Sequence, residues 1–102
     1  MKNLLRQLKI LSKPHSFEIV EKLIAKPTHI STLSEAIGIP YTTAWQRVSE
    51  MEGAGLVEVE SGVDESTGRA IRIAKIVNFR LELSPEIIKE MVQGEESKLK
   101  II

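Results

Sequence analysis

The chain has 102 residues, of which 42% are hydrophobic, and this length fits a single globular domain. It contains no cysteine, so disulfides and thiolate metal sites are excluded. The formal net charge is zero but unevenly spread: residues 1–30 hold six Lys and Arg against two Glu, whereas residues 31–60 hold one Arg against five Glu. A neutral sum is therefore compatible with local basic surfaces.

The first residues, MKNLLRQLKILSK, carry charges throughout and contain no long apolar run. We therefore expect neither a signal peptide nor a membrane span, and a cytoplasmic protein. The abundance of Ile, Glu and Lys without Cys is compatible with a thermophilic source.

Four helices are predicted in the first half of the chain. Leucines at helical spacing indicate a helix over 3–12, and a second helix begins around Pro14 and ends at Lys26-Pro27. Its expected apolar face is formed by Phe17, Val20, Leu23 and Ile24.

Ser31 is the predicted N-cap of a third helix, which Gly38 ends. The fourth helix covers 40–53, with Ala44, Val48 and Met51 on one side at i, i+4 and i+7.

Alternating residues in the second half predict an antiparallel hairpin. The first strand covers 56–60, residues 61–68 form a turn, and the second strand runs from 70 to 83 with its apolar residues at odd positions such as Ile71 and Ile73. Ser84-Pro85-Glu86 begins a last helix, 84–93, and a tail occupies 95–102.

The segment STLSEAIGIPYTTAWQRVSEMEGAGLVE resembles the helix-turn-helix and wing entry of regulators of the arsenical-resistance-repressor (ArsR-like) type, or of the related multiple-antibiotic-resistance-repressor (MarR-like) type. The resemblance implies an α+β, mostly α fold, a winged helix-turn-helix with a two-stranded antiparallel wing and a C-terminal helix. The domain would cover 1–94, with the helix-turn-helix at 31–54 and the wing at 56–77. It implies a sequence-specific regulator of transcription that binds double-stranded DNA.

The fourth helix is the predicted DNA-reading element, because its core face leaves a polar, uncharged face free for the major groove. Backbone and wing groups would add phosphate contacts. The expected DNA-binding residues are Ser31, Thr32, Tyr41, Thr42, Thr43, Trp45, Gln46, Arg47, Ser49, Arg69, Arg72 and Lys75.

Two of these residues, and the wing as a whole, have alternative interpretations. Trp45 either packs against the preceding helix or the wing, or covers a thymine methyl group. Tyr41 is either a residue at the edge of the core or a hydrogen-bond donor to a DNA phosphate. The wing is either a DNA contact or an ordinary solvated hairpin, since Asp64 and Glu65 would repel phosphates unless they bond to Arg69.

Two apolar stripes lie at the ends of the domain, formed by Leu4, Leu5, Leu8 and Leu11 and by Ile87, Ile88, Met91 and Val92. In the resembled families the first and last helices often form the dimer interface, so we expect a homodimer that binds an inverted repeat. The alternative is that both stripes complete one monomer core.

Other function classes have little support. His15, His29 and Asp64 form no catalytic pattern, so no enzyme is expected, and no spacing of ligands indicates a metal site. No glycine-rich phosphate loop is present, and no cofactor is expected. The alternative from another class is a winged-helix protein-interaction module, which the zero net charge and the Glu-rich 50–60 stretch favour.

Overall fold

The computed structural model describes residues 2–94, so the predicted tail 95–102 lies outside the described residues. The elements are α1 (Lys2–Leu11), α2 (Ser16–Ala25), β1 (Thr28–His29), α3 (Ile30–Ile37), α4 (Tyr41–Gly53), β2 (Val57–Val63), β3 (Ala70–Ile76) and α5 (Pro85–Gly94). This order confirms the predicted fold class, α+β and mostly α, with an antiparallel hairpin and a C-terminal helix. None of the described helices is long and apolar enough to cross a membrane.

The core lies where α2, α3 and α4 meet the sheet. The predicted inner face of α4 is confirmed, since Ala44, Val48 and Met51 are each 0% exposed. The small side chain of Ala44 permits α3 and α4 to pack closely. Leu33 of α3 and Leu56 after α4 are also fully buried, so the helix-turn-helix corner is held by apolar contact on every side.

The turn between α3 and α4 depends on a glycine. Gly38 has φ +80°, and its N–H donates to the Ser34 carbonyl oxygen at 2.9 Å, as the N–H of Ile39 does at 3.0 Å. Such a left-handed residue ends a helix while satisfying its last carbonyls. Pro40 then precedes α4 in an extended conformation.

The predicted N-cap of α3 was wrong by two residues. The helix begins at Ile30, with His29 in the capping position, and Ser31 lies inside its first turn. Ile30 is 1% exposed, and burial of this side chain places the start of the helix earlier than the capping preference of serine indicated.

The predicted face of α2 was correct for Leu23, which is buried, and for Val20, which packs against the core, but wrong for Phe17 and Ile24, and the predicted start was wrong. The helix begins at Ser16, after a turn that contains Pro14, and Phe17 and Ile24 are 73% and 69% exposed. Ser16 takes a core position instead, because its hydroxyl donates to the Ile10 carbonyl oxygen at 2.6 Å and its polar group is thereby satisfied.

The sheet has three antiparallel strands in the order β1-β3-β2. The two-residue strand β1 was not predicted; Thr28 pairs with Ala74, and His29 pairs with Ile73. The predicted second strand over 70–83 was too long, because β3 ends at Ile76. Neither neighbour continues past that point: the register pairs Val57 of β2 with Ile76.

The face of β3 that packs on the core is the one formed by its even positions. Ala74 is fully buried, and its partner across the ladder is Val59, which packs on the same core. Because side chains alternate along a strand, the even positions of β3 face the helices and Ile71 and Ile73 face the other way. Arg72 therefore lies on the helix-facing side of the wing.

Helix α1 contacts the end of α4 with polar side chains. The Gln7 side-chain amide donates to the Ala54 carbonyl oxygen at 2.9 Å. A Cβ on Gly53 would lie 2.7 Å from Arg6 Nη2, so the guanidinium lies directly against that glycine. Gln7 thus satisfies a carbonyl at the end of α4 that the helix itself leaves free.

Helix α5 begins as the sequence indicates. The N–H of Ile87 donates to the Ser84 hydroxyl oxygen at 3.1 Å, which is an N-cap hydrogen bond. Only Met91 of α5 is buried, while Ile88 and Val92 are 47% and 44% exposed. The apolar stripe of α5 is therefore largely uncovered within one chain.

Candidate nucleic-acid interface

The side of α4 away from the core carries polar, uncharged side chains. Thr42 and Gln46 are exposed, and Thr43 and Ser49 are half-buried. Gln can form two hydrogen bonds to adenine, and the methyl group of Thr can contact thymine. The arrangement matches the division between core face and free face that the spacing predicts.

Arg47 is used within the protein. Its Nε donates to the Pro14 carbonyl oxygen at 3.1 Å, and its Nη1 bonds Glu50 Oε1. The side chain is 13% exposed. Because the guanidinium is held by α4 itself and by the α1–α2 turn, the predicted reach of Arg47 to a phosphate has no support in this geometry.

Glu50 connects α4 to the turn between α1 and α2. Lys13 Nζ lies 2.8 Å from Glu50 Oε2, and Arg47 bonds the other carboxylate oxygen. The hydrogen bond from Lys13, with that from Arg47 and the charges of both, lowers the pKa of Glu50 against a smaller opposing effect of burial. The acid is therefore ionised and neutralised locally, on a side of α4 that faces the α1–α2 turn.

The turn of the hairpin is ordered by Asp64. Its Oδ1 accepts hydrogen bonds from Ser66 N–H at 2.9 Å and from the Ser66 hydroxyl at 2.7 Å, and these bonds lower its pKa. The predicted bond from the Asp64 carboxylate to Arg69 is not formed; instead the Asp64 N–H donates to the Arg69 carbonyl oxygen at 2.8 Å. The Arg69 side chain is exposed at the turn.

Arg72 connects the wing to α4. Its Cζ lies 4.2 Å from the centroid of the Trp45 ring, and its Nη1 donates to Tyr41 Oη at 3.3 Å. Trp45 is half-buried and packs against the core. Its contact with Arg72 is the wing contact that one of the two interpretations of Trp45 expects. Tyr41 is 40% exposed. We call these three residues the Arg72 stack.

A cleft of about 330 Å³ separates the start of α4 from the wing. Its walls include Ser31, Tyr41, Arg69 and Arg72 of the predicted set. His29, the residue in the capping position before α3, also lines it. The sequence does not reveal this position of His29, because the strand β1 that carries it has two residues and is too short to show an alternating pattern.

Two other predicted residues lie elsewhere. Thr32 is exposed in the first turn of α3, beside Ser31. Lys75 is exposed and pairs across the ladder with Glu58, on the sheet face opposite to Arg72. The structure therefore gathers the four cleft residues and Trp45 in one region and places Arg47 and Lys75 apart from it.

The predicted dimer residues are covered to different degrees: Met91 is buried within one chain, and the others are half-buried or exposed. Leu4, Leu5, Leu8 and Leu11 are half-buried, and a residue that the sequence analysis did not select, Ile10, is the buried one of α1. Ile87 is half-buried as well. Over residues 2–94, no three His, Asp or Glu side chains are grouped so that they could hold a metal ion.

The fold has a solved counterpart. A crystal structure described as an ArsR family transcriptional regulator superposes with a TM-score of 0.61 over 96% of this chain and 96% of that chain, at 18% sequence identity. At this identity the likeness shows the fold alone. No protein-family model matches the chain, and no curated protein matches it in sequence.

Proposed function

We propose that this chain is a sequence-specific transcription regulator that binds double-stranded DNA with α4 in the major groove. The observation that carries the proposal is the division of α4. Ala44, Val48 and Met51 are fully buried, while Thr42 and Gln46 are exposed on the other side. A helix held in this way by a preceding helix and a following wing is the arrangement with which winged proteins enter the major groove.

The charges near this face are compatible with DNA. Glu50 is paired with Lys13 and Arg47, so it adds little repulsion. Arg69 is exposed at the wing turn, and Ser31 and Thr32 lie in the first turn of α3, where free N–H groups favour a phosphate. These groups would position the protein, and the residues on α4 would supply base contacts.

We propose further that the active form is a homodimer on an inverted repeat. Ile88 and Val92 are 47% and 44% exposed on α5, and Leu4, Leu5 and Leu8 of α1 are only half-buried, so part of each apolar stripe remains open to a partner. A two-fold dimer would place its α4 helices about 34–36 Å apart, which corresponds to one turn of DNA. Localisation in the cytoplasm and the absence of a cofactor belong to the same proposal.

The test is a selection from random duplex DNA with the wild-type chain, with Thr43→Ala/Gln46→Ala, and with Gln93→Ala as the matched control on α5. We expect the wild type and Gln93→Ala to enrich the same inverted repeat and the double variant to lose it. Enrichment by all three proteins would remove α4 from base recognition. No enrichment by any of them would contradict sequence-specific binding.

The dimer is tested by sedimentation of Ile88→Glu/Val92→Glu. We expect a monomer, because two carboxylates on the interface would have to be desolvated. Ile24→Glu, at a more exposed apolar residue on α2, should remain a dimer. Dissociation of Ile24→Glu alone would place the interface on α2.

A second candidate function, a winged-helix protein-interaction module, is favoured by one observation. Phe17 and Ile24 are 73% and 69% exposed, and beside Ile24 lies a depression of about 320 Å³ lined by Val20, Val77 and Phe79 among others. Exposed apolar surface of this kind marks sites of protein contact. A wild-type chain without DNA preference would support this function.

A further inference from the structure

We propose that Arg72 is a positioning residue for the DNA-reading surface: it fixes the Trp45 and Tyr41 side chains on α4 instead of contacting a phosphate. The proposal rests on the proposed function for its effect on DNA. Its structural part, that Arg72 holds Trp45 and Tyr41 in place, can be tested in the protein without DNA.

The strand geometry places Arg72 against α4. Its position on β3 is two residues before Ala74, which is fully buried, so both side chains leave the same face of the strand. The Cα partner of Arg72 across the ladder is Ser61, a small residue. The guanidinium therefore extends over the sheet towards the helix and is not drawn to an acidic neighbour; within residues 2–94 it forms no salt bridge.

The partners of Arg72 are spaced so that one guanidinium can hold both. Tyr41 and Trp45 are four residues apart on α4, which puts their side chains on one side of the helix in successive turns. The guanidinium plane can stack on the indole, with Cζ at 4.2 Å from the centroid, while Nη1 donates to the phenol oxygen at 3.3 Å.

The position of Trp45 matters for the DNA-reading face. Trp45 directly precedes Gln46, the exposed amide that we place in the groove, and follows Thr43 by two residues. An indole held by the wing cannot turn outward over these side chains. Loss of Arg72 would let the indole and the phenol adopt other rotamers, which changes the surface offered to the bases and leaves the core of α4 intact.

A lysine at this position separates positioning from a phosphate contact. Lysine keeps the positive charge but lacks the planar group and its forked donors, so it does not reproduce a stacked arginine. If Arg72 bound a phosphate, Arg72→Lys would retain most binding and the salt dependence. If Arg72 positions the aromatic side chains, Arg72→Lys should lose DNA discrimination to about the same extent as Arg72→Gln.

The first measurement uses the free protein. Trp45 is the only tryptophan in the chain, so its fluorescence reports on the stack without any label. We expect Arg72→Lys and Arg72→Gln to change the emission maximum or intensity, and Arg69→Gln, the matched variant on the same wing, to leave both unchanged. Far-UV circular dichroism checks that each variant is folded. Wild-type emission in Arg72→Gln would overturn the proposal whether or not the chain binds DNA.

The second measurement uses the selected operator and a site changed at one base pair, each over a range of salt. We expect both Arg72 variants to lose about tenfold in discrimination, the lower part of the range for one base contact, with the salt slope unchanged. Arg69→Gln should instead flatten the slope by about one. Binding by Arg72→Lys that equals the wild type, with a flatter slope in Arg72→Gln, would assign Arg72 to a phosphate and contradict the proposal.

Discussion

Replacement of Glu50 by Gln should weaken the fold at neutral pH and have little effect in acid. The carboxylate lies 2.8 Å from Lys13 Nζ and also bonds Arg47 Nη1, and these contacts attach α4 to the α1–α2 turn. The glutamine is nearly isosteric, so the substitution removes the charge while it keeps the packing. It therefore isolates the electrostatic part of the attachment.

The size of the loss follows from the exposure of the three partners. The side chains of Arg47, Glu50 and Lys13 are 13%, 29% and 43% exposed. Exposed ion pairs contribute about 0.2–1 kcal/mol, whereas hydrogen bonds to charged groups that are shielded from water contribute about 1.5–3 kcal/mol. One of the two ion pairs is shielded and one is exposed, and the glutamine amide can still accept a hydrogen bond. We therefore expect Glu50→Gln to lower the free energy of unfolding by about 1–2 kcal/mol.

The pH dependence has a definite sign. Lys13 and Arg47 lower the folded-state pKa of Glu50 below its ordinary value of 4.5. The stabilisation is therefore fully present above the unfolded-state pKa and disappears as the pH falls through the folded-state pKa. In glutamine the group does not titrate, so the difference between the two proteins should close in acid.

Urea unfolding at a series of pH values from 7 to 3 measures this difference. The matched control is Glu52→Gln, an exposed carboxylate two residues along α4 that forms no ion pair among the described residues. We expect a lower midpoint for Glu50→Gln at pH 7 that converges with the wild type towards pH 3, and no change for Glu52→Gln. An equal deficit at both ends of the pH range would refute the electrostatic argument.

Further predictions concern the backbone and the core. Gly55→Ala should cost about 1–2 kcal/mol because φ is +78° there, whereas Gly53→Ala should cost less or stabilise, since its only close contact is the movable end of Arg6 at 2.7 Å. Urea midpoints of the two variants test this order, and equal losses would speak against it. Met51→Ala should cost about 2–5 kcal/mol because the side chain is fully buried. Thermal unfolding beside Val92→Ala as the exposed control measures it, and similar melting temperatures for both would show that Met51 is not packed as described.

The sequence predicted best those features that depend on a single helical period. The buried face of α4 repeats over three turns, so Ala44, Val48 and Met51 were identified correctly. On α2 the same method identified Val20 and Leu23 correctly but also selected Phe17 and Ile24, which are exposed. A hydrogen bond to the Ile10 carbonyl lets Ser16 occupy the core instead. A satisfied polar group of this kind is invisible to a pattern of apolar residues.

The candidate site shows the same limit. The outward residues Thr42 and Gln46 follow from the helix period, but Arg72 and Trp45 are 27 positions apart and meet only because the tertiary fold brings the Arg72 side chain to α4. The alternation on β3 separates its two faces but does not say which one is buried: the strand buries the small Ala74 and leaves Ile71 and Ile73 on the other face.

Strand β2 is an outer strand of the sheet, since its one neighbour is β3. Its free edge offers unpaired backbone groups that another extended chain could join, and Glu58 and Glu60 are both exposed along it. Two like charges on one short strand make the addition of a second copy unfavourable, because the copies would bring their carboxylates together. The acidic stretch that follows α4 thus opposes aggregation of a neutral chain through its own wing.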